Sequence, residues 1–191
     1  MKLLSLAYVS KHRQSGAALI TGLIFLVVLS MIGVTAARMS TLEERMSGNM
    51  RDRAIAMQAA ELCLRDAEQD IRNAVAASAR NISGITGFFS DCGKATTTDA
   101  TDDGLCYSGP GTATTIISGN NFANAIATTA YGDYTGAADI AGLSAQPRYV
   151  IEGLSKLPSG SGGVVFFYRI TVRAQGVNSN TVVWLQEVFR P

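Results

Sequence analysis

From Ala17 to Ala37 the chain runs for twenty-one residues without a charge. Lys11, His12 and Arg13 stand just before it, and Arg38 ends it. As a helix this run reaches about 32 Å at ~1.5 Å per residue, the thickness of a bilayer core. The helical pattern does not stop at Arg38. Met57, Ala60, Leu64, Ala67, Ile71 and Val75 recur at three- and four-residue steps and predict one apolar stripe. Glu61, Arg65, Asp66, Glu68, Asp70 and Arg72 fill the other faces, with Glu61–Arg65 and Glu68–Arg72 spaced as favourable pairs. Ser47-Gly48-Asn49 predicts a bend or softened turn, because glycine inside a helix costs about 1 kcal/mol. Asn81-Ile82-Ser83-Gly84 ends the helical pattern.

Residues 84–147 have another texture. They carry seven charges, with neither Arg nor Glu, among many Gly, Thr, Ala, Ser and Asn. So long a segment without structure is improbable inside a domain. It is expected to wrap the head, with a short helix near Asn121–Tyr131. Phe88, Phe89, Tyr107, Tyr131 and Tyr134 would form a small core beneath it or a contact surface. The rest reads as β. Arg148–Leu154 predicts a strand, and 158–163 a turn. Val164–Ala174 alternates, with Phe166, Tyr168, Ile170 and Val172 on one face and Arg169, Thr171 and Arg173 on the other. Residues 176–180 turn the chain into a closing strand, Thr181–Arg190, where Trp184 and Leu185 compete for the core face. An α+β fold follows: a long N-terminal helix, its first half transmembrane, whose second half packs on a small antiparallel sheet.

Charge sets the orientation. The first sixteen residues hold Lys2, Lys11 and Arg13 and no acid, leaving thirteen basic and fifteen acidic residues beyond. The positive-inside bias places the N-terminus in the cytoplasm. The near-neutral remainder has no electrostatic footprint for nucleic acid. Charged residues are 16% of the chain, below the ~25% of an ordinary domain. The single histidine, His12, lies in the basic head. Its removal would leave no histidine for nucleophile activation or a zinc site. No catalytic constellation and no cofactor is read from the spacing.

The three cysteines would face an oxidising compartment. Cys92 and Cys106 have thirteen residues between them in Gly/Ser/Thr-rich sequence. A disulfide there would pin the loop and contribute about 3 kcal/mol; the alternative is three free thiols. Cys63, on the helix, is expected to be small and buried. Asp99-Ala100-Thr101-Asp102-Asp103-Gly104 resembles the first half of a calcium loop, but Pro110 stands at the twelfth position, so a solvated turn is expected and no metal site is assigned. Asn81-Ile82-Ser83 matches a glycosylation pattern, and no role is assigned to it.

Gly16-Ala17-Ala18-Leu19-Ile20 after a basic head resembles the prepilin peptidase site of type IV pilins. Thr41 to Arg53 (Thr-Leu-Glu-Glu-Arg-Met-Ser-Gly-Asn-Met-Arg-Asp-Arg) with Gln58-Ala59-Ala60-Glu61 resembles the PilX type of minor pilin. Tyr149-Val150-Ile151-Glu152, Tyr168-Arg169-Ile170-Thr171 and Leu185-Gln186-Glu187 are similar to that family's last strands. The resemblance implies a leader over 1–16, cut after Gly16, and methylation of Ala17. It further implies an assembly helix over 17–37 and its amphipathic continuation over 38–83. Beyond these lie the loop region 84–147 and a C-terminal sheet over 148–191. It implies a minor pilin in the inner membrane before assembly and at the cell surface after. Its partners would be other minor pilins, the major pilin, a tip adhesin, the assembly platform and the prepilin peptidase. The fifth residue after the cut is Thr21, where most of the superfamily have Glu. This departure suggests a subunit at or near the tip; the alternative is a Thr bonded to its own helix. Glu43, Glu44 and Arg45, just outside the membrane, are candidates for selecting neighbours or an ordinary wet face. Two other readings stay open: a type II secretion pseudopilin, and a tethered periplasmic binding module that never polymerises. A signal peptide cut after Ala37 and an uncleaved anchor are rival fates of the first segment. Loops that other pilins close with a C-terminal disulfide do not transfer, because Cys92 and Cys106 precede the sheet.

Overall fold

A computed structural model describes residues 16–72, 80–90, 104–107, 122, 128–156 and 163–191. Helix α1 spans Ala17–Ile71, fifty-five residues. The chain divides into two compact units at Gly48/Asn49. In the first, every described residue is exposed, and the apolar run is long enough to cross a membrane. Its hydroxyls are satisfied locally. Thr21 Oγ1 donates to the carbonyls of Ala17 and Ala18, Ser30 to Val27, and Thr35 to Met31. Side chains that bond their own helix ask nothing of lipid. Ser47-Gly48-Asn49, where a bend or softened turn is expected, are helical like their neighbours. One glycine's cost is small against fifty-five helical residues.

In the second unit, α1 lies on a six-stranded sheet: β1 (Phe89–Ser90), β2 (Leu105–Tyr107), β3 (Thr129–Ala130), β4 (Arg148–Lys156), β5 (Val165–Gln175) and β6 (Val182–Phe189). The antiparallel meander β4–β5–β6 is its centre, in register at Ile151↔Ile170 and Val172↔Leu185. The segment before it adds more than a wrapping. β2 pairs with β4 in parallel, β1 with β2 in parallel, and β3 with the start of β4 antiparallel. The sheet is therefore mixed. The helix expected near 121–131 is contradicted at its C-terminal end, where Thr129 and Ala130 are strand; residues 123–127 lie outside the described ones. Thr is β-branched and suits a strand edge. Gly104, at φ +70°, turns the chain into β2 so close to β3 that a Cβ would stand 2.6 Å from Thr129 Oγ1.

The helix–sheet core is built from small residues on α1 and large ones on the sheet. Ala56, Ala59, Ala60, Cys63, Ala67 and Ile71 meet Tyr149, Ile151, Tyr168, Ile170, Val172, Val183 and Phe189. This corrects the predicted stripe. Met57 is 42% exposed, Leu64 is half-buried, and the buried face is rotated toward Ala56, Ala59 and Cys63. Apolarity favours Met57, but two buried tyrosines need small partners opposite them, and volume decides. Val75 lies outside the described residues. The described part of α1 ends at Ile71, residues 73–79 lie outside the described ones, and residues 80–83, where the helix is expected to end, are irregular.

The ambiguity in β6 resolves by face. Leu185 packs on the helix side of the sheet. Trp184 points away and meets Phe122 edge-on, ring centres 4.8 Å apart, beside Val150 and Cys106. On that side Glu152 is fully buried, and its carboxylate accepts from Arg169 Nε at 2.6 Å.

Candidate functional site

The processing end is simple. Gly16 is the turn before α1, and its carbonyl accepts the Ile20 N–H at 3.4 Å. A Cβ on Gly16 would meet nothing within 4 Å. No contact within the described chain demands glycine there, so any such demand comes from outside it. Ala17 opens the helix, and its first turn holds no acid. Thr21 is exposed and bonded to its own backbone at 3.0 and 3.1 Å. Glu43, Glu44 and Arg45 are helical and exposed, and none forms an ion pair among the described residues. Gly16, Ala17 and Thr21 thus share one helix end, while 43–45 stand more than five turns further along α1.

Three acids of the second unit were not singled out by sequence pattern. Asp66 and Asp70 were placed on the charged face of the stripe; both are buried. Asp66 accepts from the Gly132 N–H at 3.0 Å and from the Thr135 hydroxyl. Desolvation raises its pKa above the ordinary carboxylate value, although both hydrogen bonds oppose the rise. Asp70 accepts from the Tyr149 hydroxyl at 2.9 Å and pairs with Arg80. Arg80 also lies over the Tyr134 ring, 3.6 Å from its centre. These contacts tie α1 to β4 and to the 131–135 turn. The available signal was spacing: Asp66 and Asp70 continue the Ala59–Cys63 series at helical steps. Charge argued for exposure; burial is made possible by Gly132, Thr135 and Tyr149, more than sixty residues away, and by Arg80, ten residues on.

Asp52 is the third. Its carboxylate accepts from the N–H groups of Val177 at 2.6 Å and Asn178 at 3.3 Å, in the β5–β6 turn. A Cβ on Gly176 would overlap that carboxylate. Asp52's pKa is lowered, chiefly by a hydrogen bond from Thr181 and further by those two N–H groups, against a smaller desolvation effect. At the other end of the interface Glu187, on β6, has a raised pKa, from desolvation first and then from the neighbouring Glu68 carboxyl.

Cys63 is a buried free thiol, its pKa pushed up by burial. Cys106 is disulfide-bonded. Cys92 lies outside the described residues, as do the first five residues of the calcium-like segment, 99–103. Among the described residues no group of His, Cys, Asp and Glu is placed to hold a metal ion. Of the loop aromatics, Phe88 and Tyr131 pack on the helix–sheet core.

Comparison with known proteins gives two family matches. The family described as PilX N-terminal matches residues 15–65. The family described as Type IV pilus assembly protein PilX C-term matches residues 91–191, more than half of the chain. No curated protein and no solved structure matches. The two matches cover the apolar helix, its continuation to residue 65, and strands β2 to β6 of the head. The chain belongs to the PilX family of type IV pilus assembly proteins.

Proposed function

We propose that this chain is a minor pilin that acts in pilus initiation, at or near the tip. It is made with a leader over 1–16 that stays in the cytoplasm, is cut after Gly16 by prepilin peptidase and methylated at Ala17, and is held in the inner membrane by Ala17–Ala37. Cys92 and Cys106 form the pair that pins the loop. The work is structural. The apolar helix leaves lipid for a bundle of similar helices, and the heads pack around it with other minor pilins, the major pilin and a tip adhesin. Lipid is as apolar as such a bundle, so the transfer itself gives little drive. Packing and polar contacts must direct it.

The observation that carries the tip reading is Thr21. In related pilins a carboxylate at this place is taken to meet the amino terminus of the next subunit toward the tip. An unpaired charge in an apolar core is costly. Thr21 spends its hydroxyl on Ala17 and Ala18 and offers no charge to a neighbour above it. A subunit with none above needs none. Thr21→Glu, made in cells, tests this: fewer fibres and weakened partner binding are expected. Normal fibre numbers with unchanged partners would contradict it. Loss of prepilin peptidase is expected to leave a heavier protein that retains residues 1–16; an unchanged mass would identify a tethered module instead.

A further inference from the structure

The sheet of the second unit has two edges, and they differ. β1 closes one edge with two residues. β6 closes the other with eight, Val182–Phe189. In an antiparallel pair, alternate residues turn their N–H and C=O groups away from the partner strand. On β6 those groups meet no backbone group of the described residues. Folded chains blunt such an edge with proline, lysine, a bulge or a very short strand. β6 has none of these. It pairs with β5 residue for residue, without a bulge, and six of its eight residues are apolar. Val182 and Val188, on the face that Trp184 shares, are 36% and 60% exposed.

The one charge on the strand decides what can lie beside it. Glu187 alternates with Leu185 and Phe189, so it stands on the α1 side of the sheet. There its carboxyl meets that of Glu68. Arg72 pairs with Glu68 at 3.3 Å and lies over the Phe189 ring, 4.8 Å from its centre. Glu187 has no ion pair among the described residues. Two carboxyls thus share one base next to the open edge. An apolar strand laid along β6 would bury Glu187 further without a partner. An acidic strand would add repulsion, whereas a base directly opposite, with Cβ atoms about 4.5–5.5 Å away, relieves both acids.

We propose that β6 receives an extended segment of another protein as an added strand, with a lysine or arginine opposite Glu187 and β-branched or aromatic residues opposite Val182 and Val188. Main-chain hydrogen bonds supply the affinity, and Glu187 rejects strands without the base. A second copy of this chain does not fit, because its own β6 carries an acid and no base. The inference goes beyond the minor-pilin reading: it concerns the second unit alone and does not depend on processing at Gly16 or on Thr21.

Two short fluorescein-labelled peptides of alternating valine and threonine, one with a central lysine and one with a central glutamate, test it on the detergent-extracted full chain. Anisotropy should show the lysine peptide bound about fivefold more tightly. Amide exchange over 182–189 should slow when it binds. Glu187→Gln should abolish the preference and Glu187→Lys should reverse it, changes that a purely structural Glu187 would not produce. The unfolding transition of Trp184 shows that each variant is folded. Failure of both peptides to bind at about 1 mM, equal binding of the two, or a preference that survives in Glu187→Gln would overturn the inference. So would slowed exchange confined to residues outside 182–189, or self-association of the chain that slows exchange over 182–189 without peptide.

Discussion

Asp70 shows how much one side chain of α1 holds. Its carboxylate is wholly buried and serves both Tyr149 and Arg80. Asp70→Ala removes an acceptor that two elements share, and breaking such a buried pair costs about 3–5 kcal/mol. Glu61, exposed on the same helix, should tolerate Ala within about 0.5 kcal/mol. Urea unfolding of the detergent-extracted chain, followed by Trp184, the only tryptophan, compares the two. Equal midpoints would contradict the assignment. Asp66 adds a pH signature. Its folded-state pKa lies above the unfolded value, so the folded chain holds that proton more tightly. Its contribution is greatest at low pH and declines as pH rises from about 4 through the folded pKa. Asp52 works in the opposite sense, because its folded pKa is lowered. Its contribution is present above about pH 4 and is lost as pH falls through the folded value. Relative to the natural chain, Asp66→Asn should therefore gain stability with rising pH and Asp52→Asn should lose it. Midpoints measured from about pH 2 to pH 7 check both slopes, Asp52's below about pH 4 and Asp66's above it; parallel curves for all three proteins would count against them.

Between elements, α1 meets β6 through two carboxyls. Glu187 is raised by desolvation and by Glu68, with Arg72 3.3 Å from Glu68 as partial relief. Glu187→Gln removes the repulsion and should raise the unfolding midpoint at neutral pH, by up to about 1 kcal/mol. The gain should vanish on acidification, when the natural pair can share a proton; a loss at neutral pH would contradict it. The proposed Cys92–Cys106 pair would crosslink the loop. Thiol titration of the unreduced chain in denaturant is expected to find one thiol, Cys63, and three would contradict the Cys92–Cys106 pair. Cys106→Ser should then cost about 3 kcal/mol. The long apolar run, the three meander strands and the burial of Cys63 were legible because each has a strong period or a small side chain in apolar company. β1, β2 and β3 were not. They are two or three residues long, too short for a period, and their pairing to one another and to β4 depends on partners distant in sequence. Ala60, Ala67 and Ile71 of the predicted α1 stripe are core, and Met57 is not, for a physical reason: apolarity ranks Met57 above Ala56, whereas the tyrosines of β4 and β5 select by volume.

At the scale of the whole chain, the helix of the first unit buries nothing of its own, and the second carries the core. A chain built so is incomplete by itself: an apolar rod needs lipid or other helices around it at every stage. The sequence showed that requirement directly, through an uncharged run set against a basic head. The head's latches at Asp52, Asp66 and Asp70 were hidden because an isolated acid on a helix looks solvated until its distant partner is placed. The assembly account depends on Gly16, which no internal contact requires, being the residue an outside enzyme reads. Mass spectrometry of the membrane-extracted chain tests this most directly. A first residue of Ala17 bearing one methyl group is the predicted result; a chain starting at Met1 or at Arg38 would contradict it.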